Sequence, residues 1–109
     1  MAQDFESTFA HAIKSGSFTT LLTSNSDDAV VGIRFANLHT GSVSVDTKIT
    51  RSSQDFHLIK NAPIPEGGSL ELIDGGSKIV LMNGDALKAQ ASRTGSIDAV
   101  VSFIDTISE

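Results

Sequence analysis

The sequence predicts an all-β protein, an antiparallel β-sandwich of jelly-roll type with about eight short strands. Three observations predict it. The hydrophobic period is mostly two, as in "SVSVDTKIT", where Val43, Val45, Thr47 and Ile49 share one face and Ser44, Asp46, Lys48 and Thr50 the other. Short turn signals ("HTGS", "EGG", "DGGS", "NGD") separate the apolar segments. No βαβ alternation and no internal repeat is present.

Residues 1–17 form an N-terminal arm or first strand, and residues 18–109 a single β-sandwich domain. Within the first segment Phe5, Phe9, Ala12 and Ile13 fit helical spacing, whereas Phe9, His11 and Ile13 fit alternation. The reading favours strand or extended arm over residues 7–14. "SFTTLLTS" follows Gly16 as a strand. "AVVGIRFANL" places Val31, Ile33 and Phe35 on one side and Arg34 opposite. "HTGS", with Gly41, joins it to "SVSVDTKIT", and a hairpin is the simplest connection. "DFHLIKNA" is the next strand. "SLELI" and "KIVLM" flank "DGGS", where Gly75 and Gly76 tolerate positive φ, so a second hairpin is expected there. Gly84 and Asp85 of "MNGD" supply a tight turn before "ALKAQAS". In "SIDAVVSFIDTI", Ile97, Ala99, Val101 and Phe103 take one face, with Val100 and Ile104 on the other. A strand apolar on both sides expects a second layer or a neighbouring subunit.

The chain's only two prolines, Pro63 and Pro65, lie two apart in "NAPIPEGGSLEL". Residues i and i+2 of a strand aim their N–H groups at the same neighbour. The pair therefore deletes two donors on one side, which a central strand cannot accommodate. Each proline also holds its predecessor, Ala62 or Ile64, extended. The segment must be an edge, a strand end, or a corner between sheets, with Gly67 freeing the backbone after it.

At 109 residues the chain suits one modest core. No apolar run approaches the roughly 18–20 residues of a membrane-spanning helix, and no membrane partner is expected. The start, "MAQDFESTFAHAIK", lacks the basic region and apolar stretch of a secretory signal. With no cysteine, neither disulfides nor cysteine metal sites are available. The net charge is −5 with scattered Lys and Arg, which argues against nucleic acid as a partner.

Ser, His and Asp are all present, but without a G-x-S-x-G elbow. His11, His39 and His57 lie far apart, and Phe56 and Leu58 flank His57. "IPEGGSLELI" and "MNGDAL" are similar to the turns of cupins, a jelly-roll family, but the metal-binding His-x-His is missing. Asp27 and Asp28 in "SNSDDA" suit a capped polar turn better than calcium. The chain is read as having no catalytic, metal or cofactor site and as not being an enzyme.

The half running from "HLIKNAPIPEGGSLEL" to "SIDAVVSFIDTI", with "IRFANL" and "SVSVDTKITR" upstream, resembles a group of small virion proteins of tailed bacteriophages. The match covers roughly residues 18–107 and touches Asn37, Pro63, Pro65, Gly67, Ser69, Lys78, Gly84 and Asp85. Those positions look architectural in that group. "MN" before "GD" departs from the pattern, and the first 17 residues have no counterpart. The resemblance implies a β-sandwich virion component that decorates or cements the capsid, or sits in the neck or tail. The partners it implies are the major capsid protein, other virion proteins and copies of the chain itself, a trimer being the first arrangement considered. Phe5 and Phe9, outside the recognised pattern, are candidate oligomer contacts. A fibre-tip carbohydrate-binding module is the alternative, weakened by the absence of Trp and Tyr.

Overall fold

The alternating segments form eight strands in a computed structural model that describes residues 4–11, 13, 15–24, 27–93 and 95–105. They are β1 (Asp4–Ala10), β2 (Thr19–Thr23), β3 (Asp28–Asn37), β4 (Val43–Arg51), β5 (Gln54–Ile64), β6 (Ser69–Leu81), β7 (Ala86–Ala91) and β8 (Ile97–Asp105). Two antiparallel four-stranded sheets result, ordered β1-β8-β3-β6 and β2-β7-β4-β5. This is the strand order of a jelly roll, an antiparallel β-sandwich.

The two inner faces hold the apolar half of each alternation. Ile33, Phe35, Ile97, Ala99 and Val101 of the first sheet meet Val43, Val45, Leu87 and Ala89 of the second, all buried. Thr47 is equally buried, and its hydroxyl has no hydrogen-bond partner. An unmet buried hydroxyl costs about 1–2 kcal/mol. Thr47→Val, the same shape without that group, should therefore raise stability by about 1 kcal/mol in a urea titration.

Four expectations change. "HTGS" is not a hairpin: β3 pairs with β6 and β8, β4 with β5 and β7, and the chain crosses between sheets there. A hairpin would set both apolar faces side by side, whereas the crossing lets them bury one another. Nor do Gly75 and Gly76 turn a hairpin, because "SLELI" and "KIVLM" are collinear parts of β6 and both pair with β3. The register jumps from Gly32↔Asp74 to Val30↔Ile79, so residues 75–78 form a bulge opposite Val31. The same irregularity puts Val30, not Val31, beside Ile33 and Phe35 in the core.

The fourth is the placing of Phe5 and Phe9, since residues 7–10 are strand as expected. Residues 4–10 are a strand of the first sheet, paired with β8 from Asp4↔Asp105 to Ala10↔Ala99, so Phe5 and Phe9 lie within the sandwich and not outside it. After Ala10 the chain leaves the sheet, and Ile13 enters the core with its N–H donating to the Ile97 carbonyl at 2.9 Å. A chain lacking residues 2–14 would lose an edge strand and a core side chain together.

Of the connections between consecutive strands, only β4–β5 joins neighbours in one sheet. Its turn is Ser52-Ser53, with φ of 53° and 65° at the two positions. Such a two-residue loop favours Asn-Gly because L side chains resist positive φ. Replacing the pair by Asn-Gly should stabilise the fold by about 1–2 kcal/mol, read as a higher Tm.

Candidate functional site

The residues singled out in the sequence gather at the two ends of the sandwich and along one sheet edge. Two of the crossings between sheets, from β3 to β4 and from β5 to β6, meet at one end. Asn37, the last residue of β3, is buried between these crossings. Its Nδ2 donates to the carbonyls of Gly41 (2.8 Å), Ile64 (2.9 Å) and Pro65 (3.2 Å). Its Oδ1 accepts the His39 N–H at 2.8 Å. One amide thus ties both corners, using donors on one atom and an acceptor on the other as only Asn or Gln does.

The prolines serve this clamp. β5 is an edge strand, so a residue without an N–H is tolerated at Pro63. Pro65 keeps Ile64 extended, which presents the Ile64 and Pro65 carbonyls to Asn37. The chain then turns, the Gly68 N–H donating to the Pro65 carbonyl at 2.9 Å, with Gly67 at φ 68°. That is the third turn position where a type II turn needs glycine. Gly68, the last residue of "EGG", is constrained as well. A Cβ there would stand 3.2 Å from the Pro65 carbonyl oxygen, a close approach no composition signal announces.

At the opposite end, Met82–Asp85 turns from β6 to β7. The Asp85 N–H donates to the Met82 carbonyl at 2.9 Å, and Gly84 has φ 94°. The Asp85 carboxylate is buried and takes a two-pronged contact from Arg51, with Nε at 2.9 and 3.0 Å and Nη2 at 2.6 Å. It also accepts the Met82 N–H at 2.9 Å. The hydrogen bonds from Arg51 chiefly hold the Asp85 carboxyl below the usual carboxylate range, against the opposing effect of burial. Ser24 and Asp28 complete this end: the Ser24 hydroxyl donates to Asp28 at 3.0 Å, and the Gly84 N–H donates to the Ser24 carbonyl at 2.8 Å. Arg51 lies 34 residues from Asp85, so sequence spacing offered no signal for the pair.

The other proposed positions are scattered. Ser69 pairs with Ala36, and the Lys78 side chain lies outside the described residues. His11 meets Asp98 at 2.7 Å, His39 sits at the Asn37 corner, and His57 stacks edge-on against Phe18. Among the described residues no group of three or more His, Cys, Asp or Glu is placed to hold a metal.

Both sheets pair polar groups on their outer faces, Arg34 with Glu71 on the first and several groups on the second. On the second sheet polar groups satisfy one another: Asp46 accepts from the Asn61 N–H and from Gln90. Lys48 reaches Asp55 at 2.8 Å and lies 3.9 Å from the Phe18 ring centre. On the first sheet the register sets Ile104, Ala29 and Val80 across three strands in one row and Phe9 beside Val100 in another. Phe9 is 72% exposed and Val80 48%.

Fold and clamps together define a small jelly-roll β-sandwich locked at both ends. No protein-family model and no curated protein sequence matches the chain.

Proposed function

We propose that the chain is a non-enzymatic structural protein of a tailed-phage particle, acting by protein–protein burial in a symmetric assembly and located in the virion. Its position is as a capsid decoration or cement protein, with neck or tail as the second placement. The resemblance over residues 18–107 motivates the virion assignment. The observation that supports a contact role is the outer face of the first sheet, where Phe9, 72% exposed, lies beside half-buried Val100, and Val80 is exposed in the separate row of Ile104. Exposed apolar side chains on one sheet face suit burial against a partner. The major capsid protein and further copies of the chain are the partners. Packaged DNA is disfavoured as one by the net charge of −5.

Protein composition of purified particles tests the assignment. The chain is expected in stoichiometric amount, and gold-labelled antibody is expected over the capsid shell. Label confined to the neck or tail would select the second placement. Absence of the chain from intact particles would overturn the virion role.

A further inference from the structure

Four strands form the sheet edges, and three of them are poor templates for another chain. β5 carries Pro63, two register shifts and Asn61 at φ 54°. β2 has five residues and a register shift between Thr20 and Leu22. β6 is interrupted at residues 75–78. Prolines, bulges, shortness and charged side chains are devices by which edges avoid pairing. β1 has the charges of Asp4 and Glu6 but no proline, bulge or interruption. It runs in unbroken register with β8 over its seven residues, without proline or glycine, and no strand lies beyond it among the described residues.

The sequence of β1 is also self-complementary. "DFESTFA" has phenylalanine two positions to either side of Ser7. In an antiparallel pair, residues opposite each other share a face. A two-fold axis through Ser7 therefore sets Ser7 opposite Ser7 of a second copy and Phe5 opposite Phe9, twice. Glu6 then faces Thr8, and Asp4 faces Ala10. All seven residues pair, and no like charges meet. Moving the axis to Glu6 opposes two carboxylates, and moving it to Thr8 separates the phenylalanines. Only the Ser7 axis gives full overlap, aromatic cross-strand pairs and no repulsion together.

We infer that β1 is a homodimerisation edge: two copies pair their β1 strands antiparallel about Ser7, making one continuous eight-stranded sheet. The occupant is a second copy of this chain, because the edge complements itself, as an isologous two-fold contact requires. The pairing joins the two outer faces and sets the exposed Phe9 of each copy opposite Phe5 of the other. It also replaces the expectation of a trimer with a dimer as the unit of assembly. The inference does not depend on a virion role; it concerns the isolated chain, so either can fail alone.

The absence of cysteine makes the test specific. Ser7→Cys, at the axis, is expected to form a covalent dimer under mild oxidant or a short bis-maleimide, seen on denaturing gels. Ser17→Cys, exposed in the loop before β2, should stay single under the same treatment. Light scattering of the parent protein at micromolar concentration should give twice the chain mass. Ser7→Lys opposes two cations at the axis and should weaken the dimer at least about tenfold while leaving the circular dichroism spectrum unchanged. A parent mass of one or three chains, equal cross-linking at positions 7 and 17, or a Ser7→Lys protein that dimerises as well as the parent would overturn the inference.

Discussion

Asn37→Ala is expected to cost about 3 kcal/mol, near a 15 °C fall in Tm for a domain of this size. The buried Ile64 carbonyl would lose its donor, and the Gly41 and Pro65 carbonyls and the His39 N–H their shared partner. Leaving buried groups unmet costs more than forming ordinary hydrogen bonds gains, so the loss exceeds that of a surface amide. Asn37→Asp separates shape from chemistry. Its carboxylate would face three carbonyl oxygens with nothing to donate. Raising the folded pKa of that new acid gives stability that falls as pH rises, so Asn37→Asp should recover partly in acid. Thermal melts of the two variants across pH check both points. An Asn37→Asp protein as stable as the parent at neutral pH would show that the clamp does not hold the corners.

Asp85 should behave in the opposite sense. Its folded carboxyl is held low, chiefly by Arg51, so it contributes stability above the ordinary carboxylate pKa and loses it as pH falls through the folded value. Asp85→Ala is expected to cost about 2–3 kcal/mol at neutral pH, since the Met82 N–H and Arg51 both lose their acceptor. The gap between parent and variant should narrow only below the ordinary carboxylate pKa of about 4, as first the unfolded and then the folded carboxylate takes up its proton. Asp55, held low mainly by Lys48, titrates in the same range but is exposed and remains in both proteins, so it does not alter the comparison. A gap that stays constant down to pH 2 would mean that the Arg51 contact contributes nothing.

Much of the fold was legible because the relevant signals are local. Alternation in "SVSVDTKIT" reports burial directly: Val43, Val45 and Thr47 are all inside. The donor count at Pro63 and Pro65 excluded a central strand, and the segment is indeed an edge strand running into a corner between sheets. Connections were less legible. "HTGS" and "DGGS" look like hairpins because glycine allows either a hairpin, a crossing or a bulge, and the choice depends on which strand lies alongside. The true hairpin at Ser52-Ser53 carries no turn signature. Partners are less legible still. Nothing within the sequence connects Asn37 to Ile64 or Arg51 to Asp85, and Phe9 looked detached until its pairing with Val100 placed it in a sheet.

By itself the sequence determined the strand class, the inner faces of β4 and β8 and the impossibility of a central strand at "NAPIPEGG". Those properties follow from side-chain period and from the donors each residue owns. Only the tertiary structure decided how strands share sheets, what Asn37 and Asp85 hold together, and that β1 is the one edge in continuous register. Those properties depend on which distant segment supplies the second half of each hydrogen bond.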